Sequence, residues 1–111
     1  MKTLEKTLKA LADKNRLRIL KLLEQKPMCV CELVYTIKIS QSTVSKHLKK
    51  LVDTELVIAK QDGLWTNYQL NINNIYSQIL LSHLNDWLND DKVIISDIKK
   101  ARQANRVILC K

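Results

Sequence analysis

The apolar residues of this chain keep a helical spacing almost throughout, and that spacing is broken once, at residues 56–70. In this stretch the run Leu56-Val57-Ile58-Ala59-Lys60 is typical of a strand, and Asp62-Gly63 supplies a hairpin signal. Trp65, Tyr68 and Leu70 fit a second strand, where aromatic residues and alternation are both expected. Gly63 is the only glycine of the 111 residues and Pro27 is the only proline, so few turns are available and helices are favoured. The sequence therefore predicts a mainly α fold with a small β-hairpin.

The same spacing indicates one domain, residues 1–111, built around a helix-turn-helix and a wing. We expect the helix-turn-helix at about 30–53 and the wing at about 56–70. Amphipathic helices are expected at about 3–12, 14–25 and 74–88, and a last helix at about 93–106 with a tail to residue 111. Asp13 and Ser40 are suitable N-caps for the second and fourth helices. This order of elements is that of a winged helix-turn-helix domain.

The fourth helix has an apolar face, with Val44, Leu48 and Leu51, and an opposite face of short polar side chains and lysines. The net charge of +8 at pH 7 indicates a polyanionic partner, with nucleic acid first and an anionic membrane surface second. For His47, a structural hydrogen bond is as good an interpretation as a phosphate contact. The predicted DNA contacts on this helix and on the wing are Ser40, Gln41, Ser42, Thr43, Ser45, Lys46, His47, Lys49, Lys50, Lys60 and Asn67.

Three segments resemble the ArsR/SmtB family of metal-responsive regulators. Residues 40–51 (SQSTVSKHLKKL) resemble its recognition helix, residues 13–20 (DKNRLRIL) its second helix, and residues 28–33 (MCVCEL) the Cys-Val-Cys-acidic segment of its arsenic and cadmium sensors. The resemblance extends over about residues 3–88. It implies a homodimeric repressor whose first and fifth helices form the dimer interface. The two recognition helices would bind an inverted repeat in double-stranded DNA, and an inducer would release them.

The resemblance also implies that Cys29 and Cys31 are the inducer ligands. A soft thiolate pair suits As(III) and Sb(III), our first expectation, and also Cd(II) or Pb(II). Side chains at i and i+2 of an ideal helix point about 200° apart, so one ion can use both thiolates only if the first turn is extended or unwinds. Val34 occupies the position of the third cysteine in the arsenic sensors, and Cys110 is the candidate replacement ligand. The alternatives are that Cys110 is a plain cysteine of the tail and that another ligand completes a two-thiolate As(III) site.

Three other interpretations stay open. A Cd(II)- or Pb(II)-responsive repressor would use the same cysteines, although Cd(II) prefers four ligands. A thiol sensor of oxidant or persulfide would pair Cys29 or Cys31 with Cys110 and need no metal. A protein–protein module that has lost DNA binding is disfavoured by the polar face of the fourth helix. On the fifth helix, His83 and Asp86 have no matching pair, which argues against the family's zinc- or nickel-binding site there.

Other classes of protein are excluded by what the sequence lacks. The sequence contains no run of about 18 apolar residues, the length that a membrane-spanning helix needs. The N-terminus also has no apolar signal core, so we expect a cytoplasmic protein with no membrane partner. The sequence has no glycine-rich phosphate loop and no nucleophile–base pair at a convincing spacing, so we do not expect an enzyme. We expect no cofactor to be needed for DNA binding. An odd number of cysteines, three, favours reduced thiols over a disulfide framework.

Overall fold

The computed structural model describes residues 1–105, which form six helices and one antiparallel hairpin. The helices are α1 (Lys2–Leu11), α2 (Lys14–Gln25), α3 (Val30–Ile37), α4 (Gln41–Asp53), α5 (Ile75–Asp86) and α6 (Lys92–Ala101). The strands are β1 (Val57–Asp62) and β2 (Trp65–Leu70). The predicted fold class, a mainly α winged helix-turn-helix with a β-hairpin, is confirmed. Within residues 1–105, no helix has both the length and the apolar character that crossing a membrane requires.

Helix α2 lies at the centre of the fold and contacts every other helix and strand β2. Its side chains Ile19, Leu20 and Leu22 are fully buried, because its apolar residues cover more than one face of the helix. They share one core with Leu48 of α4 and with Leu56, which precedes β1. The recognition unit is therefore packed directly on the central helix.

The wing is a two-residue hairpin. Its strands pair in register from Val57 opposite Leu70 to Asp62 opposite Trp65, which leaves Gly63 and Leu64 as the turn. Gly63 has a φ of 60°, a conformation that residues with a Cβ rarely adopt. The Asp-Gly signal thus located the hairpin, although Asp62 is the last residue of the strand and not part of the turn.

The fifth helix is shorter than the sequence predicted. We expected Trp87 and Leu88 to belong to it, but α5 ends at Asp86 and Leu88 has a φ of 67°. The reason is a contact from α2, since Lys21 Nζ donates to the Leu84 carbonyl at 2.9 Å and to Asn89 Oδ1 at 2.9 Å. The Leu84 carbonyl at the end of α5 thus accepts both from Lys21, outside the helix, and from the N–H of Trp87 at 3.1 Å.

The last helix is also shorter than predicted. We expected it to reach about residue 106, but α6 ends at Ala101. Beyond it, the N–H groups of Gln103 and Ala104 donate to carbonyls three residues earlier, which tightens the chain into a turn.

Helix α6 is held to α2 by two hydrogen bonds that the Arg18 guanidinium donates to the carboxylate of the buried Asp97, at 2.8 and 2.9 Å.

Candidate DNA interface and thiol site

The turn of the helix-turn-helix is made by a change of backbone conformation at Lys38. Its φ of 63° and its N–H bond to the Val34 carbonyl end α3. Two residues later, the Ser40 hydroxyl accepts the N–H of Thr43 at 3.2 Å and caps α4. Helix α4 then packs on α3 through its buried apolar face, so its polar face is directed away from the core.

Most of the predicted contacts on α4 lie on the surface. The exposed ones on the cap and helix are Ser40, Gln41, Ser42, Ser45, Lys46, Lys49 and Lys50, whereas Thr43 and His47 are half-buried. The Ser40 hydroxyl oxygen lies 2.7 Å from Thr43 Oγ1 and 3.2 Å from Ser42 Oγ. These three hydroxyls therefore cluster at the N-terminus of α4, where backbone N–H groups and the helix dipole favour a phosphate.

The two predicted wing residues face each other across the hairpin. Lys60 on β1 is exposed and pairs in register with Asn67 on β2. The side-chain amide of Asn67 donates to Asp62 Oδ2 at 3.0 Å. Lys60 thus presents a positive charge on the wing, while Asn67 also holds a carboxylate near its tip.

The wing is attached to the segment that leads into α3. Met28 and Tyr68 exchange two backbone hydrogen bonds, of 3.1 Å from Met28 N and 2.8 Å from Tyr68 N. The Met28 side chain is fully buried. Because Met28 directly precedes Cys29, the first cysteine is fastened to β2 through one peptide bond.

Cys29 is the N-cap of α3, and its backbone is extended with φ −91° and ψ 169°. Its sulfur accepts the N–H of Glu32, and Glu32 Oε1 accepts the N–H of Cys29 at 3.1 Å, which together form a capping box. The residue Cys29 is only 2% exposed, and Glu32 is buried beside it. The first cysteine is therefore outside the helix, where the opposed directions of an i, i+2 helical pair do not apply.

Cys31 lies in the first turn of α3 and is half-buried. Its sulfur is in a disulfide, which differs from the expectation that the cysteines are reduced. It lines a cavity of about 250 Å³ with Val34 and Tyr35 of α3 and Gln41, the first residue of α4. A group attached to Cys31 would thus meet the start of the recognition helix. The candidate third ligand, Cys110, lies outside the described residues.

Within residues 1–105, no group of three or more His, Cys, Asp or Glu side chains is placed to share a metal ion. His83 of α5 is exposed, and its ring stacks on that of Trp87 with 5.5 Å between the centroids. An inducer site built on Cys29 and Cys31 therefore does not find a third His, Cys, Asp or Glu ligand already in place within the described residues.

Sequence reasoning missed Arg16, a buried charged residue of α2 that is 9% exposed. Its guanidinium donates to the carbonyls of Ala10 at 2.6 Å and Lys9 at 3.2 Å, and Nη1 lies 3.3 Å from His47 Nδ1. A signal was present, because Arg16 falls three and four residues before the core residues Ile19 and Leu20 and so shares their face.

Burial lowers the pKa of His47 below its usual value, and the charges of Arg16 and Lys50 lower it further. The carboxylate of Asp13 acts in the opposite direction without reversing the shift. His47 is therefore favoured as a neutral ring with a structural hydrogen bond.

The chain is similar to known regulators over this region. The family model described as bacterial regulatory protein, arsR family, matches residues 13–59. The arsenical resistance operon repressor of Staphylococcus aureus is 47% identical over 70 residues, which are 63% of this chain and 67% of that protein. That of Bacillus subtilis (strain 168) is 39% identical over 80 residues, covering 68% of this chain and 76% of that protein.

A solved structure shows the same fold. Reduced HlyU from Vibrio cholerae N16961 superposes with a TM-score of 0.66 at 28% identity, over 76% of this chain and 86% of that one.

Proposed function

The chain belongs to the arsR family of bacterial regulatory proteins, and on that premise we propose that it is a metalloid-responsive repressor. It is a DNA-binding transcription regulator and not an enzyme. As a homodimer it binds an inverted-repeat operator and dissociates when As(III) or Sb(III) binds Cys29 and Cys31. The names of the Staphylococcus aureus and Bacillus subtilis relatives support an arsenic-type inducer.

The homodimer is supported by exposed apolar side chains on α1 and α5. Leu4 and Leu8 are 38% and 49% exposed, and Ile75 and Ile79 are 68% and 52% exposed. The starts of the two helices are adjacent, because Thr3 lines the same cleft as Ile75. A surface of this kind is stabilised when a second copy covers it.

DNA recognition is assigned to the exposed face of α4 and to the wing. Gln41 and Ser45 have the short polar side chains that reach base edges, and Lys46 and Lys49 have the charge that neutralises phosphates. Lys60 adds a phosphate contact from the wing. The two α4 helices of a dimer would enter successive major grooves on one side of the duplex.

We expect the double variant Lys46→Ala/Lys49→Ala to bind every duplex more weakly and with a smaller salt dependence. Each phosphate contact that is lost lowers the slope of log K against log salt by about 0.9. Fluorescence anisotropy at several salt concentrations measures this slope, with exposed Lys14 of α2 changed to Ala as the matched control. A slope equal to that of the wild type would remove both lysines from the interface.

The position of the Cys29–Cys31 segment is the observation that carries the sensing mechanism. On one side it is attached to Tyr68 of the wing through Met28, and on the other Cys31 shares a cavity with Gln41 of α4. Once reduced, the two thiols can replace hydroxide on As(III) and release water. The sulfur of Cys29 would then leave the N–H of Glu32 and open the capping box.

Opening the capping box would remove one of its two bonds, so that the backbone N–H of the buried Glu32 loses its sulfur acceptor at the start of α3. The first turn of α3 would loosen, and α4 and the wing, which depend on it, would shift. The inducer favours this second state and therefore lowers the affinity for the operator. By thermodynamic linkage, bound operator lowers the affinity for the inducer by the same free energy.

A thiol redox sensor is the second candidate, and the disulfide at Cys31 is the observation that favours it. In this case a peroxide would oxidise two thiols to the disulfide, taking two electrons and two protons to form water and an alcohol or a second water. The state that binds operator would differ from the released state in oxidation and not in metalloid content.

One experiment separates these candidates. An operator is selected from a random-sequence duplex pool with fully reduced protein, and release is followed by anisotropy, anaerobically, on adding arsenite, then cadmium, then peroxide to separate samples. We expect arsenite to release the DNA at about one As(III) per chain, with a new thiolate absorption band. Release by peroxide alone would establish the redox sensor in its place, and release by cadmium alone the Cd(II) sensor.

A further inference from the structure

The side chain of Arg16 joins three elements at one point. From α2 its guanidinium reaches the last-turn carbonyls Lys9 and Ala10 of α1 and the ring of His47 in the middle of α4. Its side chain is 10% exposed and also lies 3.9 Å from Asp13 Oδ2. A cation at the C-terminus of α1 complements the helix dipole, which explains the α1 contacts but not the one to His47.

The contact with His47 determines where the imidazole proton is. All polar hydrogens of a guanidinium are donors, and it has no acceptor. The ring nitrogen that faces it, Nδ1, must therefore be unprotonated and accept. The proton of the neutral ring is then on Nε2, across the ring from Arg16. Burial and the charges of Arg16 and Lys50 lower the pKa of His47, which agrees with a neutral ring.

The position of His47 on α4 places it where its Nε2–H group could donate a hydrogen bond to DNA. His47 is half-buried and follows Lys46, and Lys50 stands one turn later on the exposed side. A neutral N–H donor at the border of this basic face suits a backbone phosphate, which accepts hydrogen bonds and carries no sequence information.

We propose that Arg16 is a positioning residue of the DNA interface, which holds His47 as the Nε2–H tautomer so that this group donates to a backbone phosphate. The proposal rests on the proposed DNA binding and adds a regulated contact to it. Because the same guanidinium holds the end of α1, displacement of α1 would disturb the tautomer and with it the phosphate contact.

The tautomer is directly measurable, because the chain has only two histidines, His47 and His83. Long-range ¹H–¹⁵N spectra of the free protein at pH 7.5 report the protonation of each ring nitrogen, and a His83→Asn variant assigns the signals. We expect a single Nε2–H tautomer at His47. In Arg16→Leu we expect a mixture of tautomers, whereas exposed His83 stays unchanged. A protonated ring or an Nδ1–H tautomer in the wild type would overturn the proposal, even if Arg16→Leu does not fold.

DNA binding is tested with a 30-bp duplex of mixed sequence at low salt, since a phosphate contact needs no operator. His47→Gln places an amide donor near the position of Nε2, whereas His47→Leu has none. We expect His47→Leu to bind about tenfold more weakly, and His47→Gln to stay within about threefold of the wild type. Equal affinity of the Leu variant would refute the phosphate contact.

The two levels of proposal fail differently. If the wild type binds no duplex at any salt concentration, the proposed function is wrong, whatever the tautomer of His47. If the wild type binds and the His47 and Arg16 variants bind equally well, only the role of Arg16 and His47 is wrong.

Discussion

Replacing Cys31 with serine is expected to leave operator binding intact and to raise the arsenite concentration needed for release by at least about 100-fold. Loss of a residue that merely supports a metal ligand costs about 10–100-fold in affinity, so loss of a ligand itself costs at least the upper value. The change also removes the disulfide of Cys31, so both proteins are compared fully reduced, where the variant differs only by the lost sulfur in the first turn of α3. Arsenite-dependent release of a labelled operator measures it.

Cys29→Ser is a companion variant with a built-in structural control. Serine is among the preferred N-cap residues, and its hydroxyl can accept the N–H of Glu32 as the Cys29 sulfur does. The capping box is therefore kept while the thiolate is lost. We expect a folded repressor that binds operator and is not released by arsenite. Normal release from both serine variants would contradict the thiolate site.

Two further variants define the rest of the ligand set. Cys110→Ser should weaken arsenite binding if the C-terminal cysteine is the third ligand, and should have no effect if the site is built on Cys29 and Cys31 alone. Val34→Cys introduces a thiol into the cavity that Cys31 lines, one turn after it in the sequence. We expect this variant to bind arsenite more tightly than the wild type.

The second large effect is on stability. Lys21→Ala is expected to lower the free energy of unfolding by about 3–5 kcal/mol, the usual cost of removing one partner of a buried ion pair. The Lys21 side chain is 2% exposed, and its ammonium lies 2.7 Å from Glu24 Oε2. Its other partners are the Leu84 carbonyl and Asn89 Oδ1, so all three N–H donors have acceptors.

The loss of stability is large because Lys21→Ala leaves the Glu24 carboxylate, which is 7% exposed, without its cationic partner. Apart from the ion pair with Lys21, Glu24 Oε2 has no hydrogen-bond partner within residues 1–105. Urea denaturation followed by circular dichroism measures the effect. Lys14→Ala, on an exposed position of the same helix, is the matched control and should change stability by less than about 0.5 kcal/mol.

The double variant Lys21→Met/Glu24→Leu removes both charges and should recover most of the stability that Lys21→Ala loses. If Lys21→Ala matches the wild type instead, the ion pair contributes nothing. If the double variant is as unstable as the single one, the loss comes from packing and not from an unpaired carboxylate.

The starts of α2 and α4 and the buried face of α4 illustrate what local sequence predicts well. Asp13 and Ser40 accept the first N–H groups of their helices as expected from their residue type. The apolar spacing of Val44, Leu48 and Leu51 identified the buried face of α4. These features depend on residues within one or two helical turns, so they are readable from the sequence.

The ends of α5 and α6 were predicted less well because they depend on distant residues. Helix α5 ends where the Leu84 carbonyl accepts a hydrogen bond from Lys21, which lies more than sixty positions earlier in the sequence. No local pattern at Trp87 or Leu88 contains that information. For the same reason the attachment of the wing to Met28 could not be foreseen, since it joins residues forty positions apart.

By itself, the sequence determined the winged-helix order, the polar face of the recognition helix and the cysteine pair with its family resemblance, because periodicity, capping and motif spacing are local. The tertiary structure alone decided that Cys29 is a buried N-cap tied to the wing, that Cys31 shares a cavity with Gln41, and that Arg16 holds His47. These contacts depend on how distant segments pack, and packing satisfies the buried polar groups of one element with partners from another.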